Sequence, residues 1–486
     1  MGERVGHGER ASCVRVIDDF ADSIAIDQPD NQFKNLLMPS LTVAADCLLE
    51  DIPLALEKVI KVRLTIDNPK YVSAKKYGRW IGKTLKAKLK YYEPVPKGLR
   101  FPRGFANQAV LLCRELIQET PEIHDGRLLL PEEKFVFKGT LRPYQQAALL
   151  AAEKRSFGVL EAGTGSGKTI MALAIIADRK QPTLIVVHTK ELLYQWQERI
   201  KEFLGCATGL VGDGHFTIEP ITVAIVNTAR KRMPELAPCF GQLVVDECHR
   251  VPAALFTDVV SAFAGHYLLG LSATAFRSDE GLTRLIYFYM GDMFHKVDQE
   301  ELQATGAIIK PELIRCKTTF QYRYRGDYQP LIAALTKDAK RNQQIIEDVV
   351  MVSRMENSGI QLLVSDRVNH CELFVKELVA RDVDVVMLTG QTSTEQRTTI
   401  VRAVQAGEVQ VLVATLQLIG EGFDCPGLSN LFLTTPITFE GRLLQVLGRI
   451  MRPAEGKQAR VYDYVDEAVS VLKRSAEGRK KILDAF

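Results

Sequence analysis

At 486 residues the chain is too long for a single hydrophobic core, so two or three domains are expected. Its 46% of hydrophobic and 25% of charged residues are ordinary for a globular protein, and it contains no apolar run of about eighteen residues, the length that a membrane span needs. The cysteines are scattered without a Cys-x-x-Cys pair, which argues against a zinc ribbon, an iron–sulfur cluster or a disulfide framework. These features predict a cytoplasmic protein without a membrane partner.

The N-terminal part divides into a polar, aperiodic stretch at 1–40, expected to be a loose tail, and a basic segment at 41–137. Between 58 and 103 this segment holds fourteen Lys and Arg residues against two acidic ones, with aromatic residues interleaved. Positive charge follows a phosphate backbone and flat rings stack on bases, so we expect a small α+β domain that binds nucleic acid. The alternative is a solvated basic surface with the rings in its core. The residues expected to contact nucleic acid are Lys75, Lys76, Arg79, Trp80 and Arg103.

Beyond residue 140 the pattern changes to short apolar runs that alternate with helical stretches. Continuous apolar runs separated by helices predict parallel sheets covered on both faces. The sequence therefore predicts two α/β lobes with doubly wound parallel sheets, at 138–309 and 310–486. The expected strands are 157–160, 184–187, 221–226, 243–245 and 267–271 in the first lobe, and 361–364, 383–388, 409–413, 431–434 and 460–464 in the second.

A glycine-rich turn joins the first expected strand of the first lobe to a helix, which is the setting of a phosphate-binding loop. Glycines let backbone N–H groups close around phosphates at a helix N-terminus. Lys168 supplies a charge to the β- and γ-phosphates of ATP, and Thr169 offers a hydroxyl to Mg²⁺. The predicted nucleotide-binding loop is Ala162, Gly163, Thr164, Gly165, Ser166, Gly167, Lys168 and Thr169.

A second candidate element, at 244–249, ends another buried strand with an Asp-Glu pair. Asp246 can hold Mg²⁺, and Glu247 can orient and deprotonate the attacking water. Adjacent carboxylates repel each other unless a cation is present, which supports a metal there. His249 is expected to couple the ATP site to the other lobe; the alternative is a surface imidazole.

Three segments, taken together, resemble motifs II, III and VI of superfamily 2 helicases. They are the Asp-Glu-Cys-His run at 246–249, Ser272-Ala-Thr274, and the stretch 445–452 that contains Gln445, Gly448, Arg449 and Arg452. The resemblance covers about 138–464 and implies two tandem RecA-like lobes that hydrolyse ATP between them. It assigns Ser272 and Thr274 to coupling and Gln445 to catalysis.

The same resemblance assigns further residues. Arg142 and Gln145 would bind the adenine. Gly422 and Asp424, in a segment like motif V, would contact the nucleotide. Nucleic acid would be contacted by residues of a segment like motif Ia, of the next DNA-contacting loop at 226–228, of the stretch after motif III, and of segments like motifs IV and V. These residues are Thr189, Lys190, Thr228, Arg277, Ser365, Arg367 and Thr415.

Two arginines of the segment like motif VI carry the expected link between hydrolysis and motion. Arg449 and Arg452 lie three residues apart, so a helix would place them on one face, directed at the γ-phosphate. Their charge would stabilise the leaving phosphate, and ATP would close the lobes by drawing them in.

The basic N-terminal segment, Leu-Arg-Pro-Tyr-Gln at 141–145 and the stretch 271–279 are similar to the XPB/UvsW-like branch of this superfamily. Its members are DNA translocases in repair, recombination or the remodelling of branched DNA. The resemblance implies an ATP-dependent DNA helicase or translocase acting on single-stranded, duplex or branched DNA, with repair proteins as candidate partners. Three alternatives remain: the motor subunit of a restriction or anti-phage complex with a partner nuclease, an RNA helicase, and an ATP-gated nucleic-acid clamp. An RNA substrate is less favoured because the DEAD sequence is absent. A run at 322–325 (Tyr-Arg-Tyr-Arg) could contact nucleic acid or form an exposed strand.

Overall fold

The computed structural model describes residues 38–484 except 77, 79, 83, 250–252, 274–279, 420–424, 426 and 438–439. The expected tail at 1–40 therefore lies almost wholly outside the described residues. Three main sheets follow one another along the chain. In the described part, no helix has both the length and the apolar character needed to cross a membrane.

The N-terminal domain is a small α+β unit. A five-stranded sheet of order β5-β6-β2-β1-β7 is antiparallel except for the β1–β7 pair, and β3 and β4 form a separate antiparallel pair. Strands β1 and β2 alternate buried with half-buried residues, as expected for strands with one face turned to a core. The elements are β1 Ser40–Val43, β2 Asp46–Glu50, α1 Leu54–Arg63, β3 Thr65–Asp67, α2 Pro69–Lys76, β4 Lys88–Lys90, β5 Glu93–Val95, β6 Gly98–Pro102, α3 Ala106–Leu116 and β7 Glu122–Asp125.

The first lobe is an eight-stranded sheet of order β11-β10-β12-β9-β13-β14-β8-β15, in which β11 alone runs antiparallel. Its central strands are buried along their whole length, which explains their uninterrupted apolar sequences. The elements are α4 Pro143–Glu153, β8 Phe157–Ala162, α5 Lys168–Arg179, β9 Thr183–Val187, α6 Lys190–Phe203, β10 Gly209–Gly212, β11 His215–Phe216, β12 Ile221–Ile225, α7 Val226–Leu236, β13 Gln242–Val245, α8 Ala253–Ser261, β14 Tyr267–Ser272, α9 Glu280–Met290, β15 Met293–Val297 and α10 Gln299–Ala304.

The second lobe is a fully parallel six-stranded sheet of order β16-β21-β20-β17-β19-β18. Its elements are β16 Glu312–Lys317, α11 Tyr328–Leu335, α12 Ala339–Ser353, β17 Ile360–Ser365, α13 Val368–Val379, β18 Val385–Leu388, α14 Thr394–Ala406, β19 Val411–Thr415, α15 Leu416–Ile419, β20 Leu428–Leu433, α16 Glu440–Ile450, β21 Arg460–Val465 and α17 Ser470–Asp484.

The predicted fold class is confirmed, because both lobes are parallel sheets with crossover helices. Every strand expected in the two lobes is present within a few residues of its predicted bounds. The sequence did not reveal β10, β11, β15 and β16. Of these, β15 and β16 lie at sheet edges and are half-exposed, so neither carries a continuous apolar run. The run 322–325 lies in irregular structure, so the exposed-strand interpretation is wrong.

The N-terminal domain and the first lobe share one hydrophobic core. Tyr91 and Phe105 of the N-terminal domain pack on Phe288 of α9, with ring centroids 5.7 and 6.0 Å apart. Gly104 lies so close to α9 that an added Cβ would be 2.4 Å from the backbone nitrogen of Gly291. The N-terminal domain is therefore fixed to the first lobe rather than tethered to it.

Candidate active site between the lobes

The predicted nucleotide-binding loop connects β8 to α5. Gly165 and Gly167 have φ angles of +88° and +80°, a left-handed backbone that glycine adopts without strain. At Gly167 an added Cβ would also lie 2.6 Å from Nε2 of Gln145. These positions therefore require glycine for the loop to turn into α5.

Two side chains of α4 form hydrogen bonds to this loop. The hydroxyl of Tyr144 and Nε2 of Gln145 each donate to the carbonyl oxygen of Ser166 at 3.0 Å, and Oε1 of Gln145 accepts from the backbone N–H of Arg142. Gln145 is buried, whereas Arg142 is exposed. Gln145 thus holds the loop itself, and its contact with adenine stays a prediction, as does that of Arg142.

The acidic pair lies at the carboxyl end of β13, where parallel pairing with β9 sets Val245 opposite Val186. Oδ1 of Asp246 accepts from the backbone N–H of Glu247, and Oδ2 accepts from the indole N–H of Trp196, both at 2.9 Å. Glu247 has a φ of +47°, an uncommon backbone conformation for a residue other than glycine, and such strain clusters at active sites. The Asp246 carboxylate is therefore held in one orientation.

Charge around the pair suits a bound cation. Burial, with the charge of Glu247 second, raises the pKa of Asp246. Nζ of Lys168 lies 3.5 Å from Oε1 of Glu247 and donates to the carbonyl oxygen of Ala162 at 3.1 Å. A divalent ion would relieve the repulsion between the carboxylates. Mg²⁺ is usually bound by one or two carboxylates plus substrate phosphates, so Asp246 and Thr169 fit that ion, and the described residues contain no larger cluster of metal-binding side chains.

His249 lies between the acidic pair and β14. Its Nδ1 is 2.9 Å from Oγ of Ser272 and 3.4 Å from Oε2 of Glu247. It is buried, so the alternative of a surface imidazole is wrong. The contacts connect Glu247 to the end of β14 within the first lobe, and coupling of the ATP site to the other lobe stays a prediction.

The second lobe reaches this site through α16. A Cβ added to Gly448 would lie 2.4 Å from Cβ of Thr164, so α16 packs directly on the phosphate-binding loop. Gln445 is buried, and its Oε1 has no hydrogen-bond partner among the described residues, as expected of a group that meets a ligand. Nε of Arg449 donates to the carbonyl oxygen of Ile419 at 3.2 Å.

The expectation that Arg449 and Arg452 share a helical face is wrong. Helix α16 ends at Ile450, two residues before Arg452. Pro453 follows Arg452 and disfavours helical backbone at the residue before it. Burial, and then the charge of Arg199, lower the pKa of Arg452 to about 10. Arg452 therefore approaches α6 of the first lobe from a loop.

The predicted nucleic-acid residues of the lobes follow the carboxyl ends of β9, β12, β17 and β19. Thr189 caps α6 by accepting from the backbone N–H of Leu192, and Lys190 begins that helix. Thr228 lies in the first turn of α7, not in a loop. Thr415 ends β19, and Arg367 donates to the side-chain oxygen of Gln329. Because carboxyl ends of parallel strands meet at one edge of a sheet, Thr189, Lys190 and Thr228 lie at the same edge of the first-lobe sheet as the ATP site. Arg367 and Thr415 lie at the corresponding edge of the second-lobe sheet.

Two of the predicted contacts are corrected. Ser365 is 1% exposed and its Oγ lies 3.0 Å from Nδ1 of His370, so its side chain belongs to the interior. Arg103 is also 1% exposed, and its guanidinium donates to the carbonyl oxygens of Ala44 and Gly265. Arg103 therefore joins the N-terminal domain to the first lobe and does not lie on the basic surface.

Other basic residues of the N-terminal domain remain on its surface. Lys75 and Lys88 line a groove of about 400 Å³ with Tyr71 and Asp67. Trp80 is 89% exposed, unlike the other described aromatic residues of this segment. We call the exposed side chains of Lys70, Lys75, Lys86, Lys88, Lys90 and Trp80 the basic face. The predictions for Arg79, Thr274, Arg277, Gly422 and Asp424 fall outside the described residues, as does the side chain of Lys76.

Three contacts around the site were not predicted from the sequence. Trp196 bonds to Asp246, Tyr144 supports the loop, and Nη1 of Arg397 on α14 lies 2.8 Å from Oε1 of Glu191 on α6, across the lobes. A signal existed only for Trp196, a large apolar residue on the buried face of an amphipathic helix.

Comparison with known proteins fits this geometry. Residues 138–277 match the family described as the type III restriction enzyme res subunit, and residues 341–454 match the helicase conserved C-terminal domain. Relatives include the DNA 3′-5′ translocase XPB2 of Sulfurisphaera tokodaii, 26% identical over 70% of this chain and 84% of the relative. The chain is a superfamily 2 helicase of the XPB/UvsW-like branch.

Helicase D10 of Escherichia phage T5 is another relative, 27% identical over 74% of this chain and 79% of its own. Among solved structures, a fragment of a type I restriction enzyme HsdR subunit from Vibrio vulnificus YJ016 has a TM-score of 0.54 and 19% identity. The match covers 69% of this chain and 66% of the HsdR fragment, and a likeness at this low identity shows that the two share a fold. As a member of this family the helicase is an ATPase with nucleotide-dependent activity.

Proposed function

We propose that this helicase couples the hydrolysis of ATP, with Mg²⁺, to movement on or remodelling of duplex or branched DNA. The observation that carries the proposal is the packing of Gly448 against Thr164, because it places the second lobe directly on the phosphate-binding loop. Any ligand on that loop then changes the fit of the two lobes. The basic face and the name of the Sulfurisphaera tokodaii relative, a DNA translocase, support DNA as the substrate.

The chemistry follows from the chain's own residues. Lys168 neutralises phosphate charge, while Asp246 and Thr169 hold Mg²⁺, which when bound withdraws charge from the phosphate oxygens. Glu247 orients the attacking water and accepts its proton. Gln445 and Arg449 contribute from α16, so hydrolysis requires both lobes. His249 contacts both Glu247 and Ser272, so a change in the position or charge of Glu247 reaches the end of β14 through it.

Closing and reopening of the cleft would move the two lobes along the strand in turn. The basic face moves with the first lobe, because the N-terminal domain shares its core. A duplex or junction held by the basic face would thus be displaced relative to a strand held by the second lobe. This arrangement supports remodelling of branched DNA in repair, recombination or defence.

The test is ATP turnover measured side by side with single-stranded DNA, duplex DNA, forked DNA and RNA. Forked or duplex DNA should stimulate turnover most. Stronger stimulation by RNA than by every DNA would contradict the DNA proposal and favour an RNA helicase. Stimulation without displacement of a third strand from a triplex would instead favour an ATP-gated clamp.

A second candidate is the motor subunit of a restriction or anti-phage complex, favoured by the match of 138–277 to a restriction enzyme subunit. Such a motor moves DNA for a nuclease on another chain. Purification of the tagged helicase from its own host tests this directly. A co-purifying nuclease whose cleavage needs ATP would favour the second candidate over the first.

A further inference from the structure

We propose that Trp196 is a positioning residue for ATP hydrolysis, and that it makes α6 the element that orients Asp246. The inference rests on the proposed role of Asp246 as a Mg²⁺ ligand. The indole N–H of Trp196 donates to Oδ2 of Asp246 at 2.9 Å in a buried setting. Trp196 is 2% exposed and Asp246 is 7% exposed, so water does not compete for this bond.

The bond restricts the carboxylate in a way that the backbone alone does not. The backbone N–H of Glu247 fixes Oδ1 of Asp246, and one such bond leaves the carboxylate free to rotate about it. The second donor, Trp196, comes from a different element and fixes Oδ2. Outer hydrogen bonds of this kind orient a metal ligand, and their loss commonly costs about 10- to 100-fold in metal affinity or activity.

Helix α6 carries this donor together with a predicted nucleic-acid contact and an ion pair to the second lobe. Its N-cap, Thr189, is a predicted nucleic-acid contact two turns, or about 10 Å, before Trp196. Glu191, in its first turn, pairs with Arg397 of the second lobe at 2.8 Å. Leu193, Trp196 and Ile200 anchor the helix in the core of the first lobe. A shift of α6 caused by a strand or by lobe closure therefore moves the donor to Asp246.

The first test compares wild type with Trp196→Phe, which keeps a buried ring and removes the N–H. Basal ATP turnover is measured as Mg²⁺ is varied. The Mg²⁺ midpoint should rise about 10- to 100-fold, with a smaller change in KM for ATP at saturating Mg²⁺. Phe240→Leu is the control, since it also reduces a fully buried aromatic residue of the first lobe, but one that precedes β13 whereas Asp246 follows that strand. An unchanged midpoint in Trp196→Phe would overturn the inference.

The second test needs no turnover and keeps Trp196. The chain has two tryptophans, so Trp80→Phe leaves Trp196 as the single indole fluorophore. Adding Mg²⁺ to the ADP complex should change its emission, whereas ADP with a chelator should not. The Mg²⁺-dependent change should vanish when Asp246→Asn is added. Emission that ignores Mg²⁺ would overturn the inference.

The two proposals fail in different ways. If ATP turnover by the wild type did not depend on Mg²⁺, both proposals would be contradicted. Turnover that DNA does not stimulate would remove the proposed function, yet the Mg²⁺ midpoint and the emission of Trp196 would still decide the role of Trp196.

Discussion

At the scale of single residues, the site depends on side chains held by buried or strained geometry. Glu247 has a positive φ, and its side chain lies within 3.5 Å of Lys168 and 3.4 Å of His249. Gly448 is a glycine because any side chain would strike Thr164. Both positions are specified by contacts between elements that are far apart in sequence.

Removing the two central charges should separate binding from hydrolysis. Lys168→Ala should lose ATP binding and turnover, because phosphate charge is no longer neutralised. Glu247→Gln should still bind ATP and lose about 100-fold or more of its turnover, because it cannot accept a proton. Nucleotide retention on a filter and steady-state turnover measure the two effects. Wild-type turnover by Glu247→Gln would show that another group is the base.

A methyl group at position 448 should obstruct closure. Gly448→Ala places a Cβ against Thr164, an overlap that costs about 1–3 kcal/mol and lowers turnover roughly ten-fold or more. Thr164→Gly should restore part of that turnover in the double variant. Gly478→Ala, in α17 with no atom within 4 Å of the added Cβ, is the control and should leave turnover unchanged. Equal losses in the single and double variants would refute closure through this contact.

At the scale of elements, α6 and the β17–α13 junction show how buried or partly buried polar contacts set the position of predicted binding residues. Glu191 of α6 pairs with Arg397, and the side chains are only 25% and 21% exposed. At the β17–α13 junction, Nδ1 of His370 is hydrogen-bonded to Oγ of Ser365 at 3.0 Å, and its Nε2 to Oδ1 of Asn342 at 2.9 Å. Both contacts bridge elements that the sequence presents separately.

The ion pair across the lobes can be tested by exchange of charge. Arg397→Glu should lower DNA-stimulated turnover by up to about five-fold, because a part-exposed pair contributes about 1 kcal/mol or less. The double variant Glu191→Arg with Arg397→Glu should recover it, and the difference should shrink at high salt. No recovery in the double variant would mean that the residues act independently.

Acid should destabilise the second lobe through His370. Burial, with Arg341 second, lowers the pKa of His370 to about 3. The unfolded chain takes up this proton near pH 6.5, so stability is complete above that pH and falls as pH decreases towards 3. At pH 5 the loss from this group is about 2 kcal/mol. Urea unfolding at pH 7.5 and 5 should show a smaller difference for His370→Gln than for the exposed control His215→Asn. Equal differences for the two variants would exclude His370 as the source.

At the scale of the whole molecule, the N-terminal domain and first lobe form one body, and the second lobe meets it across the ATP site. Arg103 lies at the junction of the first two, bonded to carbonyl oxygens of both. The basic face is therefore presented at a fixed position relative to the motor. Nucleic acid bound to the basic face would therefore be held at a fixed position relative to the first lobe.

Reversing charge on the basic face should weaken DNA binding with a recognisable salt signature. Lys75→Glu, Lys88→Glu and Lys90→Glu together should lower affinity for forked DNA and reduce the slope of log K against log salt by up to about 3. Fluorescence anisotropy over a salt series measures both. Lys473→Glu on α17, an exposed lysine away from this face, is the matched control. An unchanged slope in the triple variant would exclude the basic face as a phosphate contact.

The sequence by itself determined the two parallel-sheet lobes, because their buried strands are continuous apolar runs between helices. It also determined the loop at 162–169 and the Asp246-Glu247 pair, because local backbone requirements and adjacent charges leave a signature in neighbouring residues. Only the tertiary structure decided the contacts of Arg103, Ser365 and Trp196. Each of these contacts depends on a partner at least five residues away in the sequence. Burial turned the first two side chains inward and joined Trp196 to Asp246. Burial is set by how the elements pack, and residue type alone does not determine it.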